Sequence, residues 1–166
     1  INASILYSFS TQKMKSKKIV VTSKYIDQNG HVGEAGYLSI AIDALWEFNK
    51  EIGTSQKFLQ LSCAPVTFSS KIDYLKEVFE HEEIEFRIER LTPPEDKRKW
   101  IRKILLFKSS GELAVKILAN GAWFDLNSRK ITTPPNEITE IFDKNFYDYP
   151  IIVKINIVKF ILLVTL

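Results

Sequence analysis

The stretch from Tyr25 to Gly53 constrains this chain more than any other, because it joins a polar turn directly to the longest helical pattern in the sequence. The turn reads Asp27-Gln28-Asn29-Gly30-His31, and two further glycines, Gly33 and Gly36, follow it. From there Tyr37, Ala41, Ala44, Leu45, Phe48 and Ile52 recur at steps of three and four, the spacing of one helix face. Leu38, Ile40, Ile42 and Trp46 add apolar groups off that stripe, so the pattern predicts a helix buried nearly all round. Gly53 supplies the stop, since glycine enters the left-handed region without steric cost. The positive end of a buried helix thus meets a loop carrying a carboxylate, an amide and an imidazole, which is the composition of a site.

Strands surround that helix in the sequence. Lys18 to Tyr25 is rich in β-branched residues and reads as a first strand. After a polar connector, Thr54 to Gln60, a second strand is predicted over Leu61 to Tyr74, with Val66, Phe68 and Ile72 on one face. Leu75 to His81 reads as a bend. Glu82 to Leu91 alternates Ile84, Phe86 and Ile88 against Glu83, Glu85, Arg87 and Glu89, the pattern of a half-buried antiparallel strand. Prolines break the chain at Thr92 to Asp96 and again at Thr132 to Asn136. Between those breaks lie strands over Lys99 to Lys108 and Glu112 to Asp125, joined by Ser109-Ser110-Gly111, and a short amphipathic helix is predicted over Glu137 to Asn145. Successive strands without intervening helices favour an α+β fold, an antiparallel sheet of about five strands with one helix on its face. An open edge of such a sheet invites a second copy, so a dimer is expected.

Composition narrows the function classes. At 166 residues the chain makes one full domain, and a net charge of +3 with mixed signs gives no support for nucleic-acid binding. One cysteine, Cys63, excludes an internal disulfide and a cysteine-rich metal site, and fits a reducing, cytoplasmic setting. Residues 1–13 precede the first methionine, Met14, and are expected to be an extension ahead of the domain at 14–145. The segment 146–166 ends in an apolar run from Ile151 to Leu166 that holds Lys154, Asn156 and Lys159 and is short for a membrane span. An extra strand, an interfacial segment or a product of a shifted reading frame all fit it better.

The pattern Tyr25-Ile26-Asp27-x-Asn29-Gly30-His31-Val32, with Tyr37-Leu38 five residues on, resembles the signature of hotdog-fold acyl-CoA thioesterases of the 4-hydroxybenzoyl-CoA thioesterase type. Ser70 to Leu75 resembles that family's second-strand segment, and Trp123-Phe124-Asp125 with Arg129-Lys130 and Pro134-Pro135 resembles the end of its last strand. The similarity spans about Lys18 to Glu137, and Asn-Gly-His-Val-x-Glu-Ala with the Asp96-Lys97-Arg98 loop is most similar to the betainyl-CoA thioesterase branch. Many members carry two asparagines after the His-Val pair, where this chain has Gly33-Glu34.

The resemblance implies a curved sheet wrapped around the long helix, a homodimer or tetramer, and hydrolysis of a CoA thioester with no metal and no cofactor beyond the CoA of the substrate. Asp27 matches the catalytic carboxylate, as nucleophile or as general base; its other reading is an Asx turn. Backbone N–H groups of Gly33 and Glu34 would receive the developing oxyanion. His31 would orient Asp27 or serve only the loop, and Asn29 reads as turn chemistry beside the substrate. Glu34 is a second candidate carboxylate, equally suited to the helix dipole, and Tyr37 a candidate substrate contact. The acyl group would lie between the helix and a neighbouring subunit's sheet. Lys71, Lys97, Arg98, Arg129 and Lys130 are candidates for the CoA phosphates, against the plainer reading of solvated charges. Two other functions compete: an enoyl-thioester hydratase on the same fold, disfavoured by the Asp27–His31 spacing and by Gly30 after Asn29, and a non-catalytic CoA-ester-binding dimeric domain.

Overall fold

A computed structural model describes residues 15–91 and 95–146, together with the backbone of 4–9 and 151–156. The strands are β1 (Ser4–Phe9), β2 (Lys15–Val20), β3 (Cys63–Tyr74), β4 (Glu83–Leu91), β5 (Lys99–Lys108), β6 (Leu113–Asp125), β7 (Lys130–Ile131) and β8 (Ile151–Asn156). The helices are α1 (Glu34–Glu51), α2 (Thr54–Gln60) and α3 (Asn136–Phe146). The main sheet has the order β2-β4-β5-β6-β3, all antiparallel, with β7 extending β6. The β1 and β8 backbones pair with each other as a separate ribbon. Residues 1–3, 10–14, 147–150 and 157–166, at the two terminal segments discussed above, and 92–94, in the expected loop at Thr92 to Asp96, lie outside the described residues.

The sheet curls around α1, as the family resemblance implies. Its inner face carries Ile84, Phe86 and Ile88 from β4, Trp100, Ile104 and Leu106 from β5, and Val115, Ile117, Ala119 and Trp123 from β6, all buried. Against them α1 presents Tyr37, Ile40, Ala41, Ala44, Leu45 and Phe48. The alternation in β4 thus falls as the sequence predicts. Burial all round the helix does not: Asp43, Trp46, Glu47 and Lys50 face outward, and Trp46 is 54 % exposed, because a single curled sheet covers one side only.

Three further expectations change. The first strand ends at Val20, and Ser23–Tyr25 forms a turn of 3-10 helix instead. Tyr25 drives this, since its hydroxyl donates to Asp43 at 2.7 Å and its carbonyl accepts from the Gly33 N–H at 3.1 Å. Thr54 to Gln60 is a helix, not a connector, because Phe58 is buried with its ring centroid 6.0 Å from Trp123 and 6.3 Å from Phe142. In β3 a bulge between Thr67 and Ser69 shifts the register, which turns Phe68 outward to 55 % exposure. Gly53 is left-handed (φ 83°), as its position after the helix requires.

Two glycines admit close packing. A Cβ at Gly121 would lie 1.9 Å from the Val66 carbonyl oxygen and 2.4 Å from the Trp100 ring, and one at Gly36 would lie 2.4 Å from the Tyr25 carbonyl oxygen. The first closeness seats Trp100, whose Nε1 donates to the Ala122 carbonyl at 3.1 Å. The second presses the start of α1 against the turn that carries Asp27.

Candidate active site

The loop before α1 closes on itself through its backbone. The Asp27 N–H donates to the His31 carbonyl at 2.9 Å and the Gly30 N–H to the Asp27 carbonyl at 3.1 Å, with Gly30 left-handed (φ 83°). The Asp27 side chain completes the turn: Oδ1 accepts from the Asn29 N–H at 2.8 Å, and Oδ2 lies 3.5 Å from Asn29 Nδ2. The Asx-turn reading is therefore realised through one carboxylate oxygen, and Asn29 does serve the turn. The other oxygen is set against the helix start. A Cβ added to Gly33, the residue capping α1, would meet Asp27 Cβ at 3.0 Å and Oδ2 at 3.3 Å, so glycine is what lets the carboxylate approach.

The donors at that helix end differ from the pair expected. The Gly33 N–H is already bonded to Tyr25, whereas no side chain caps the helix and the Glu34 and Ala35 N–H groups find no acceptor among the described residues. Free donors at the positive end of an 18-residue helix make an anion-stabilising position. Ala35 was not legible as a donor, because only the cap position of Gly33 decides which N–H groups remain free.

An open depression adjoins this end, lined by His31, Val32, Glu34, Tyr37, Tyr74, Leu75, Lys76 and Glu77. Asp27 is not one of its walls; it packs on Gly33, between two residues that are. His31 Nδ1 lies 3.0 Å from the Val32 carbonyl and Nε2 3.9 Å from a Glu77 oxygen. The Val32 carbonyl first, then the Asp27 and Glu77 charges, raise the imidazole above its ordinary pKa. Glu34 is exposed, and its carbonyl accepts from the Tyr74 hydroxyl at 3.3 Å. Tyr37 contributes its ring to the wall, while its hydroxyl is committed elsewhere: it donates to the Lys76 carbonyl and accepts from the buried Val78 N–H, both at 3.0 Å. Tyr37 thereby pins the 75–82 bend to α1.

The five cationic candidates do not gather here. The bend beside the depression bonds to the start of β6, through Leu75 N–H to Ala114. The Trp123 N–H donates to Arg98 and its carbonyl accepts from Thr132, which places Lys97, Arg98, Arg129 and Lys130 at the other end of that strand. At the rise of an extended chain, that is about 30 Å away within one molecule. Arg98 is also engaged by Asp96, at 2.9 Å for both of its side-chain contacts, and Arg129 lies over the Phe124 ring at 5.4 Å. Lys71 stands exposed on β3, 4.0 Å from Asp73. Cys63 is buried and its thiol raised by burial, in keeping with a small apolar role.

Two charged residues on the inner face escaped the sequence reading. Arg90 continues the Ile84, Phe86, Ile88 row of β4, and Arg102 sits between Trp100 and Ile104 in β5. The strict alternation of both strands was the available signal. No group of three or more His, Cys, Asp or Glu able to hold a metal is found among the described residues, and no helix among them is long and apolar enough to cross a membrane.

Comparison with known proteins bears on the whole domain. Solved structures of similar fold include a Staphylococcus aureus protein determined in complex with CoA (TM-score 0.71, 20 % identity, covering 80 % of this chain and 84 % of that one). A 1,4-dihydroxy-2-naphthoyl-CoA thioesterase from Synechocystis matches at TM-score 0.69 and 13 % identity, over 78 % of this chain and 95 % of that one. A probable thioesterase from Escherichia coli matches at TM-score 0.68 and 18 % identity, over 78 % and 96 %. No curated protein sequence matches the chain. At these identities the structural likeness establishes the hotdog fold. The family model of the thioesterase-like superfamily matches residues 21–142, from the end of β2 through most of α3, and the chain belongs to that superfamily.

Proposed function

We propose that this protein is an acyl-CoA thioesterase in which Asp27 supplies or activates the oxygen nucleophile. The observation that carries the reading is the Asp27 carboxylate set against Gly33, beside the free Glu34 and Ala35 N–H groups. Thioester hydrolysis needs both parts. Asp27 attacks the carbonyl carbon directly, giving an anhydride that water then opens, or it takes a proton from an attacking water. In either course the carbonyl oxygen becomes negative and accepts from the helix N–H groups, the C–S bond breaks, and CoA leaves as thiolate. The Val32 carbonyl and the Asp27 and Glu77 charges favour the protonated form of His31, which suits it to orient the loop. Glu34 is the further carboxylate at this helix start, exposed to an incoming ester.

A dimer fits the same reading. Among the described residues the outer edge of β3 has no strand beside it, and antiparallel pairing of two β3 edges would bring the Arg98–Lys130 end of a second copy to the depression of the first. That would restore Lys97, Arg98, Arg129 and Lys130 as candidates for the CoA phosphates.

The test is release of free thiol from a panel of short, long and aromatic acyl-CoAs. Asp27→Asn, which keeps the acceptor for the Asn29 N–H, is expected to lower kcat by about 10²–10⁴-fold, the range of a lost general base, with KM held. Silence across the whole panel, or full turnover by the Asp27→Asn variant, sinks the proposal. Loss of crotonyl-CoA absorbance without thiol release would instead select the hydratase.

A further inference from the structure

Tyr25 is held at both ends by α1, the helix whose start receives the Asp27 loop. Its hydroxyl donates to Asp43 Oδ2 at 2.7 Å, on the outer side of the helix, and its carbonyl accepts from the Gly33 N–H at 3.1 Å. The ring between them is 9 % exposed. Packing alone does not ask for the hydroxyl, since phenylalanine would fill the same space. Stability does not ask for it strongly either: Asp43 is half exposed and shared with Lys24 Nζ at 2.9 Å, and exposed ion pairs contribute little. What the hydroxyl does fix is where the ring lies along α1, and with it the carbonyl at the other end. Beyond that carbonyl the loop is a closed body. Ile26 bridges Val32, the Asp27 N–H donates to the His31 carbonyl at 2.9 Å, and Asp27 Oδ1 accepts from the Asn29 N–H at 2.8 Å. The Val32 N–H, bonded to the Val78 carbonyl at 2.8 Å, anchors the returning limb, and Tyr25 anchors the entering one.

We propose that Tyr25 and Asp43 are positioning residues for Asp27, the Tyr25 ring acting as a strut between the outer side of α1 and the loop. The role rests on the reading of Asp27 as the reacting carboxylate. Asp27 stands two residues beyond Tyr25, and its Oδ2 is set against Gly33, the same residue whose N–H the Tyr25 carbonyl accepts. A tilt of the ring therefore moves the carboxylate relative to the Glu34 and Ala35 N–H groups at the helix start. Rate is steeply sensitive to such displacement, about 10²-fold for about 1 Å, so loosening the strut by about 0.5 Å costs about tenfold. The walls of the depression are not part of the strut, so the loss falls on kcat and not on KM.

Three variants of the full chain test it. Tyr25→Phe keeps the ring and removes the hydroxyl, Asp43→Ala removes the acceptor while favouring the helix, and Asp43→Asn returns an acceptor to the same place. On the acyl-CoA that the wild type turns over best, Tyr25→Phe and Asp43→Ala should each lower kcat about tenfold, with KM within about twofold and Tm nearly unchanged. The double variant should lose no more than either alone, and Asp43→Asn should recover most of the rate. A second readout needs no turnover. Amide hydrogen exchange at Gly33, whose N–H meets the Tyr25 carbonyl, should quicken at least about fivefold in Tyr25→Phe and Asp43→Ala, with the Ile117 amide in β6 unchanged. Unchanged exchange at Gly33 overturns the positioning role whatever the activity. So does a wild-type kcat in Tyr25→Phe, an additive loss in the double variant, or an Asp43→Asn protein no faster than Asp43→Ala. Quickened exchange in a protein that releases thiol from no acyl-CoA keeps the strut and sinks the thioesterase reading alone.

Discussion

Gly33→Ala offers a sharp test, because it perturbs the carboxylate while leaving the fold nearly alone. Gly33 has φ −70° and ψ 165°, which alanine adopts freely, so no backbone strain is introduced. The added methyl would sit 3.0 Å from Asp27 Cβ and 3.3 Å from Oδ2, against an ordinary contact of 3.4 Å or more. The Asp27 side chain must therefore retreat by about 0.4 Å from the helix end, a figure taken from that shortfall. A misplacement of about 1 Å costs about 10²-fold in rate, so 0.4 Å corresponds to a loss of about tenfold in kcat/KM. Alanine is also a poorer cap than glycine, which costs up to about 1 kcal/mol of stability. Thiol release measured beside urea unfolding separates the two effects. Unchanged kcat/KM in a folded Gly33→Ala protein would refute the placement of Asp27, and so would a rate loss that merely tracks the unfolded fraction.

Other outcomes follow from the same contacts. Gly121→Ala should destabilise by more than about 3 kcal/mol or prevent folding, since the new methyl meets the Val66 carbonyl at 1.9 Å and the Trp100 ring at 2.4 Å; thermal unfolding measures it. Tyr37→Phe should cost about 1–3 kcal/mol in denaturant unfolding, because it leaves the buried Val78 N–H without its acceptor. Asp96 is held at about 2, below its ordinary 3.8, chiefly by the Arg98 side chain. Its folded value is the lower one, so its contribution to stability is present above about pH 4 and is lost as pH falls towards 2. Arg98→Gln should flatten the stability curve across that window.

Much of the fold was legible because it rests on periodicity and turn chemistry. The three- and four-residue spacing from Tyr37 to Ile52 specified α1, Gly53 its end, and the alternation of Ile84, Phe86 and Ile88 the inner face of β4. The turn residues Asp27 to His31 marked the site, since an Asx turn is a local structure written in local residues. Where contacts between distant residues decide, the local signal failed. Phe58 makes a helix of Thr54–Gln60 by packing on Trp123 and Phe142. The β3 bulge overrides an alternating pattern and exposes Phe68, and Tyr25 draws the end of the first predicted strand into a helical turn. The same holds for function. Sequence named Asp27 and Gly33, but only the tertiary structure shows which helix N–H groups stay free among the described residues, that Lys97, Arg98, Arg129 and Lys130 stand a strand's length away, and that Arg90 and Arg102 turn inward to share a cavity with Asn49. Periodicity and turns are properties of neighbouring residues, whereas free donors and cavities are what remains after the whole chain has packed.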